Sequence, residues 1–418
     1  MNKISLNKRK IINDPIYGLI NLPTGIAYEI IEHPYFQRLR QIKQLGLTYL
    51  VYPGGTHTRF QHAIGSAYLM NLAIDVLKSK GHDISDEEAK AVVIAILLHD
   101  IGHGPFSHAL ESSIVENITH EQLSAIFMIR LNEIFDNQFE LAIKIFESKY
   151  YKKFLHHLVS SQLDMDRLDY LKRDSYFTGV SEGVIASDRI IHMLNIVNDE
   201  LVVESKGIYS IENFLIARRL MYWQVYLHKT VLGAEQMLVK ILKRAKEIAN
   251  VDLNLYATPS LKYFLYNNVK TSDFTKKDYV FENNTILDLY SQLDDNDIFT
   301  SIKIWANHKD IVLSTLCKNF INRKLYKIEI QKMPFSEEII SAIKNKIKAR
   351  YKIDDNLAEY FVFTGQITNN AYSAKDDKIN IQYNSGKIID IAKASDMLNI
   401  SVLSKTVIKH FLCFPKEY

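Results

Sequence analysis

The chain is short of cysteine, of net charge and of long apolar runs, and each shortage removes a class of protein. Only two cysteines, Cys317 and Cys413, occur in 418 residues, far apart and in apolar surroundings. They suit reduced thiols buried in a cytosolic protein, not a disulfide framework, and alone they cannot build a metal site. Lysine and arginine nearly balance aspartate and glutamate, leaving a formal charge of +3. An all-over electrostatic grip on nucleic acid, single-stranded nucleic acid included, is therefore not indicated, although local basic sites stay open. No uninterrupted apolar run reaches spanning length, and the basic start MNKISLNKRKIINDP lacks an apolar stretch before a cleavage site. These absences predict a soluble, cytoplasmic protein with no membrane partner. Internal repeats and low-complexity tracts are also missing.

What is present is enough apolar sequence, 47% of residues, to bury a large core and make more than one structural unit. From about Gly25 to Asn250 apolar residues recur at three- and four-residue spacing, with breaks at Pro53-Gly54-Gly55 and Gly102 to Pro105. In IVNDELVVESKGIYSI, two β-prone runs around Ser205-Lys206-Gly207 predict a hairpin inserted between helices. Beyond Val251 come polar interruptions, helical patterns from Thr285 to Asn322, and an amphipathic helix near Ser336 to Arg350. The β-like segments LYKIEIQ, YFVFTGQ, INIQYNSGKIIDI and VIKHFLCF occupy the same half. The expected fold is mainly α: a helical domain over 1–250 and a smaller α+β lobe over 251–418.

Chemistry concentrates in LLHDIGHGPFSH, Leu97 to His108, which ends an apolar helix at glycines and Pro105. His99 and Asp100 are consecutive, so they point roughly 100° apart around a helix and both reach an ion at its edge. A neutral imidazole and a carboxylate suit a first-row transition metal or, less tightly, Mg²⁺. Two ligands do not make a site. His62 opens a helix in GGTHTRFQHAIGSAYLM, with His57 as a less constrained competitor. In SSQLDMDRLDYLKRDSYFTG, Asp166, Tyr170 and Asp174 follow at i, i+4 and i+8 on one helix face, beside Arg167. A solvated helix laced by ion pairs is the plain alternative. Together, two histidines and two aspartates from three helices leave open positions for water and phosphate.

The segments NDPIYGLI, FQRLRQIKQLG, THTRFQHAIG, LLHDIGHGPFSH, THEQ and DMDRLDYLKRDSYFTG occur in this order. In them the chain resembles the HD-domain deoxynucleoside triphosphate triphosphohydrolases, a family with bacterial dGTPase-like and vertebrate branches. The likeness spans about Lys10 to Lys229 and weakens at NRKLYK. It implies a divalent metal (Mn, Fe, Zn, Co or Ni) on His62, His99, Asp100 and Asp166, with Mg or Mn accompanying the substrate phosphates. It also implies hydrolysis of deoxynucleoside triphosphates to deoxynucleoside and inorganic triphosphate. His103 would contact the α-phosphate, His108 would protonate the leaving oxygen with Glu111 orienting it, and His120 would assist with phosphate or proton. Arg59, Arg167 and Arg218 would meet phosphate. Gln44 and Asp174 would hold the 3′-hydroxyl, while Leu45 and Tyr170 exclude a 2′-hydroxyl.

Arg218, Tyr222 and Tyr226 form a further i, i+4 ladder, for which a packed aromatic stripe is the plain alternative. Tyr226 would pack on sugar or base; Tyr222 departs from the histidine of vertebrate relatives. A nucleotide effector site is implied at Lys10, Asn13, Glu32, Gln37 and Arg40, completed by Arg323 and Lys327 across a homo-oligomer. There Glu32 replaces the aspartate of the vertebrate form. Rival functions are a phosphohydrolase for another phosphate ester (a nucleoside monophosphate, cyclic nucleotide or alarmone), a nuclease, and a nucleic-acid-binding scaffold without turnover.

Overall fold

The computed structural model describes residues 10–107, 115, 118–369, 372, 378–396 and 406–417. It is mainly helical, as expected. Six helices build the site: α1 (Arg59–Ser79), α2 (Asp86–Leu98), α3 (His120–Ile134), α4 (Met165–Thr178), α5 (Ile208–Met221) and α6 (Lys229–Ala249). Among the described residues no helix is long and apolar enough to cross a membrane.

Local sequence accounts for their ends. Ser85 and Glu88 cap α2 reciprocally: Glu88 N–H donates to Ser85 Oγ at 3.1 Å and Ser85 N–H to Glu88 Oε2 at 2.8 Å. From Ala91 to Leu98 every residue of α2 is buried, so it runs through the core and delivers its C-terminus to the interior. α4 starts on Asp164, which accepts from Arg167 N–H at 2.7 Å, and stops at Gly179, whose φ of 74° is left-handed.

Two glycines let these helices approach. A Cβ on Gly65 of α1 would stand 2.1 Å from Asp169 Oδ1 and 2.2 Å from an Arg173 nitrogen, so only glycine admits the polar face of α4 here. At Gly102 a Cβ would meet the His120 carbonyl at 2.2 Å. The absent methyls bring His62 to α4 and the start of α3 beside the end of α2.

Nine strands make three small sheets. β1 (Ile11–Asp14) and β2 (Gly18–Asn21) pair as a hairpin. β3 (Leu194–Val197), β4 (Glu200–Glu204), β7 (Asn380–Gln382) and β8 (Ile388–Asp390) form a sheet in that order, with β4 parallel to β7. β5 (Lys327–Gln331), β9 (Val407–Phe414) and β6 (Phe363–Asn369) form an antiparallel sheet in that order. The expected hairpin exists, but it turns at Asn198-Asp199 and not at Ser205 to Gly207, which form a short 3₁₀ turn. Asn198 and Asp199 take φ of 52° and 63°, which short polar side chains tolerate in a two-residue turn.

Residues on both sides of position 250 share one apolar cluster. Asp295, on α7 (Asp295–Trp305), reaches across it to accept from the backbone N–H of Phe106 at 2.8 Å and of Lys43 at 3.1 Å. The C-terminal half thereby fixes two loops that wall the cavity described next.

Candidate metal centre and substrate cavity

His62, in the first turn of α1, is fully buried with its Nδ1 2.8 Å from Asp169 Oδ2 and its Nε2 3.0 Å from Asp166 Oδ1. His99 follows the last turn of α2; its Nδ1 donates to the Ile96 carbonyl at 2.6 Å. That bond leaves Nε2 as the coordinating nitrogen, 3.4 Å from both Asp166 Oδ1 and Asp100 Oδ1. Both Nε2 atoms are buried without a hydrogen-bond partner, a costly arrangement unless something else accepts their lone pairs. The ligand atoms of His62, His99 and Asp166 lie within 4.8 Å of one another. Two imidazole lone pairs and a carboxylate converging on one point fit a divalent cation.

Asp100 borders this set. Its Oδ1 is 3.4 Å from His103 Nε2, its Oδ2 is 3.7 Å from His62 Nε2, and Arg59 pairs with it. Asp100, His103 and His120 also place ligand atoms within 4.8 Å of one another. Burial opposes charge on His62, yet Asp166 and Asp169 outweigh it and raise the pKa to about 10. Burial likewise resists ionisation of Asp166, but His62 and His99 hold it well below the usual carboxylate range. The pocket thus demands a positive charge, which a proton supplies when an ion does not.

Three aspartates of one segment divide the work. Asp164 caps α4, and burial pushes its pKa up to about 6. Asp166 faces the histidines. Asp169 accepts from Arg173 Nε at 2.9 Å and Nη2 at 3.0 Å, while Arg173 Nη1 donates to Asp14 Oδ2 at 2.8 Å. The buried chain Asp14, Arg173, Asp169, His62 fixes the imidazole from behind, the usual support for a metal-binding histidine.

The centre opens into a cavity of about 600 Å³. Arg59 and Arg167 line it; Arg59 Nε donates to Ser107 Oγ at 3.0 Å and Arg167 Nε to the Ser161 carbonyl at 2.6 Å. The rings of His103 and His120 stack in the wall with centroids 3.9 Å apart. Burial, reinforced by Arg59, lowers the His103 pKa well below its ordinary value. His108 and Glu111 lie outside the described residues.

Further along, Gln44, Leu45, Tyr170, Asp174, Tyr222 and Tyr226 form the wall. Asp174 Oδ1 is 2.8 Å from His57 Nε2, and Oδ2 accepts from Tyr226 O–H at 2.7 Å. Gln44 Oε1 is buried without a partner. Tyr226 packs edge-on against Tyr170 and Tyr222, with centroids at 6.2 and 5.2 Å. The 218, 222, 226 ladder is not kept whole: Tyr222–Tyr226 is a π-helical turn, and Arg218 does not line the cavity but donates to Gln162 Oε1 at 2.9 Å. A π turn widens the residue spacing and so rotates positions that a regular helix would align. His57, behind Asp174, and the wall residues Glu121 and Glu235 escaped the sequence reading; no spacing signal marks them.

The expected effector residues have partners within the chain. Lys10 lies 4.3 Å over the Tyr28 ring, Gln37 Nε2 donates to the Ile31 carbonyl at 2.7 Å, and Arg40 Nε donates to Gln37 at 2.8 Å. Arg323 donates twice to the Leu50 carbonyl, at 3.0 and 2.8 Å, and Lys327 pairs with Glu329 at 2.6 Å. Asn13 lies on β1 and Glu32 is exposed.

A buried His-Asp ligand set on a helical core defines a metal-dependent hydrolase of the HD type. Residues 59–173 match the HD domain model and residues 185–260 match the HD associated region. A phosphohydrolase from Bacteroides thetaiotaomicron has a crystal structure 54% identical in sequence, with a TM-score of 0.92 over 98% of this chain and 100% of that one. The uncharacterized protein YwfO of Bacillus subtilis is 32% identical over 77% of this chain and 72% of its own length. The deoxynucleoside triphosphate triphosphohydrolase SAMHD1 homolog of Dictyostelium discoideum is 30% identical over 72% of this chain and 63% of its own length. The chain belongs to the HD-domain phosphohydrolase family. HD domains bind divalent metals, and the residues gathered here fit one.

Proposed function

We propose that the protein hydrolyses deoxynucleoside triphosphates to deoxynucleoside and inorganic triphosphate. The observation that carries the reading is the joining of two sets of residues in one cavity. At one end stand His99, Asp100, Asp166 and two arginines; at the other, Gln44, Leu45, Asp174 and Tyr226. The kinship with a named deoxynucleoside triphosphate triphosphohydrolase supports it.

His62, His99, Asp100 and Asp166 would hold a divalent ion, which supplies an acidified water and draws charge from phosphate oxygens. Arg59 and Arg167 neutralise the triphosphate. The neutral, stacked His103 and His120 sit beside Asp100, positioned to donate hydrogen bonds to the α-phosphate. Water forms a bond to the α-phosphorus, the bond to the 5′-oxygen breaks, and that oxygen takes a proton. Resemblance alone assigns the proton to His108, with Glu111 as its orienting partner. The unpaired Gln44 Oε1 accepts from the 3′-hydroxyl, and Leu45 with Tyr170 leaves a 2′-hydroxyl no partner, costing a ribonucleotide on the order of 1–3 kcal/mol.

Nucleotide activation in a homo-oligomer belongs to the same proposal, through Lys10, Asn13, Glu32, Gln37, Arg40, Arg323 and Lys327. The test is turnover of each deoxynucleoside triphosphate with Mn²⁺ or Mg²⁺, with and without a second nucleotide, reading products and mass in solution. Triphosphate release is expected; release of pyrophosphate or of single phosphate from every substrate refutes the reaction.

A further inference from the structure

Glu235, in the second turn of α6, lines the cavity with Leu45, Tyr222, Tyr226 and Leu227. It is half-buried, and among the described residues no side chain or backbone group pairs with it. Burial alone acts on its charge and pushes its pKa up to about 7; neither the carboxylates around the ion nor Arg59 and Arg167 contribute. Glu235 therefore stands outside the electrostatic reach of the phosphate end. A carboxylate left unpaired in a cavity wall is a costly feature that a ligand with N–H donors repays.

Taking the substrate as a deoxynucleoside triphosphate, on which this inference rests, the donors can be counted. The triphosphate has none to spare, and the 3′-hydroxyl is met by Gln44 and Asp174. Only the base remains. Thymine offers one N–H between two carbonyl oxygens, which a carboxylate repels. Adenine and cytosine offer an amino group beside a ring acceptor. Guanine alone presents two adjacent donors, N1–H and N2–H, matched to the two oxygens of a carboxylate. We propose that Glu235 reads the nucleobase and selects guanine by accepting both donors.

The experiment compares kcat/KM for dGTP, dATP, dCTP and dTTP in the parent, Glu235→Gln and Glu235→Leu proteins, by triphosphate release. The parent is expected to favour dGTP. Glu235→Gln should lower dGTP turnover by about 10–100-fold while dTTP changes by less than about 3-fold, because a site built to hydrogen-bond one partner discriminates steeply. Glu235→Leu should repeat the selective loss. With no partner to lose, both variants should melt like the parent. A uniform fall over all four substrates, an unchanged preference, or a parent without guanine preference overturns the inference. Failure of the parent to release triphosphate from any of the four refutes the function reading itself, and the inference falls with it.

Discussion

The two ends of the cavity are built on opposite plans. At the ion end each coordinating group is held from behind: His62 by Asp169, His99 by the Ile96 carbonyl, and Asp169 in turn by Arg173 and Asp14. At the other end acceptors are left open, with Gln44 Oε1 unpaired and Glu235 without a partner. Only Asp174 is pinned there, between His57 and Tyr226. Rigidity is spent where an ion demands fixed geometry, and vacancy is kept where a ligand must supply the hydrogen bonds.

Breaking the ion end should have the largest effect. Asp166→Ala removes the carboxylate shared by both histidines; turnover should fall by about 1,000-fold or more, the several kcal/mol of charge stabilisation lost with the ion. Metal analysis by mass spectrometry should show ion and activity leaving together. Asp169→Asn touches no substrate but loosens the His62 ring, so metal affinity in a titration should weaken by about 10–100-fold. Saturating metal should restore most of the rate, which a loss of chemistry would not allow.

Changes at the open end should be smaller and selective. Leu45→Ala makes room beside the sugar, and the preference for deoxynucleotide over ribonucleotide, measured as a ratio of kcat/KM, should drop by about 10-fold. Gln44→Ala deletes one acceptor and should cost about 2–10-fold on deoxynucleoside triphosphates. It should cost almost nothing on 2′,3′-dideoxy analogues, which lack the donor. Equal losses on both substrates would place Gln44 in structure and not in recognition.

The same contrast marks what was legible in the sequence. Asp166, Tyr170 and Asp174 were readable as one face because helix periodicity alone aligns them, and all three line the cavity. The distinct uses of Asp164, Asp166 and Asp169 were not locally encoded; they depend on the close approach at Gly65 and on Arg173. Arg218 was misplaced because a π turn is invisible to a count of four. The hairpin was placed six residues late, since Ser-Lys-Gly looks as turn-like as Asn-Asp. Glu235 was overlooked because a glutamate on an amphipathic helix reads as a surface residue until the walls around it are known. The β4–β7 pairing and the reach of Asp295 join segments nearly two hundred residues apart, beyond any local pattern.

The central claim, that one cavity couples an ion to a deoxynucleotide for attack at the α-phosphorus, is tested most directly by turnover in ¹⁸O-water with products resolved by mass spectrometry. The label should appear in inorganic triphosphate, with an unlabelled deoxynucleoside. Label in pyrophosphate or in a nucleoside monophosphate, or label carried by the nucleoside, would contradict it.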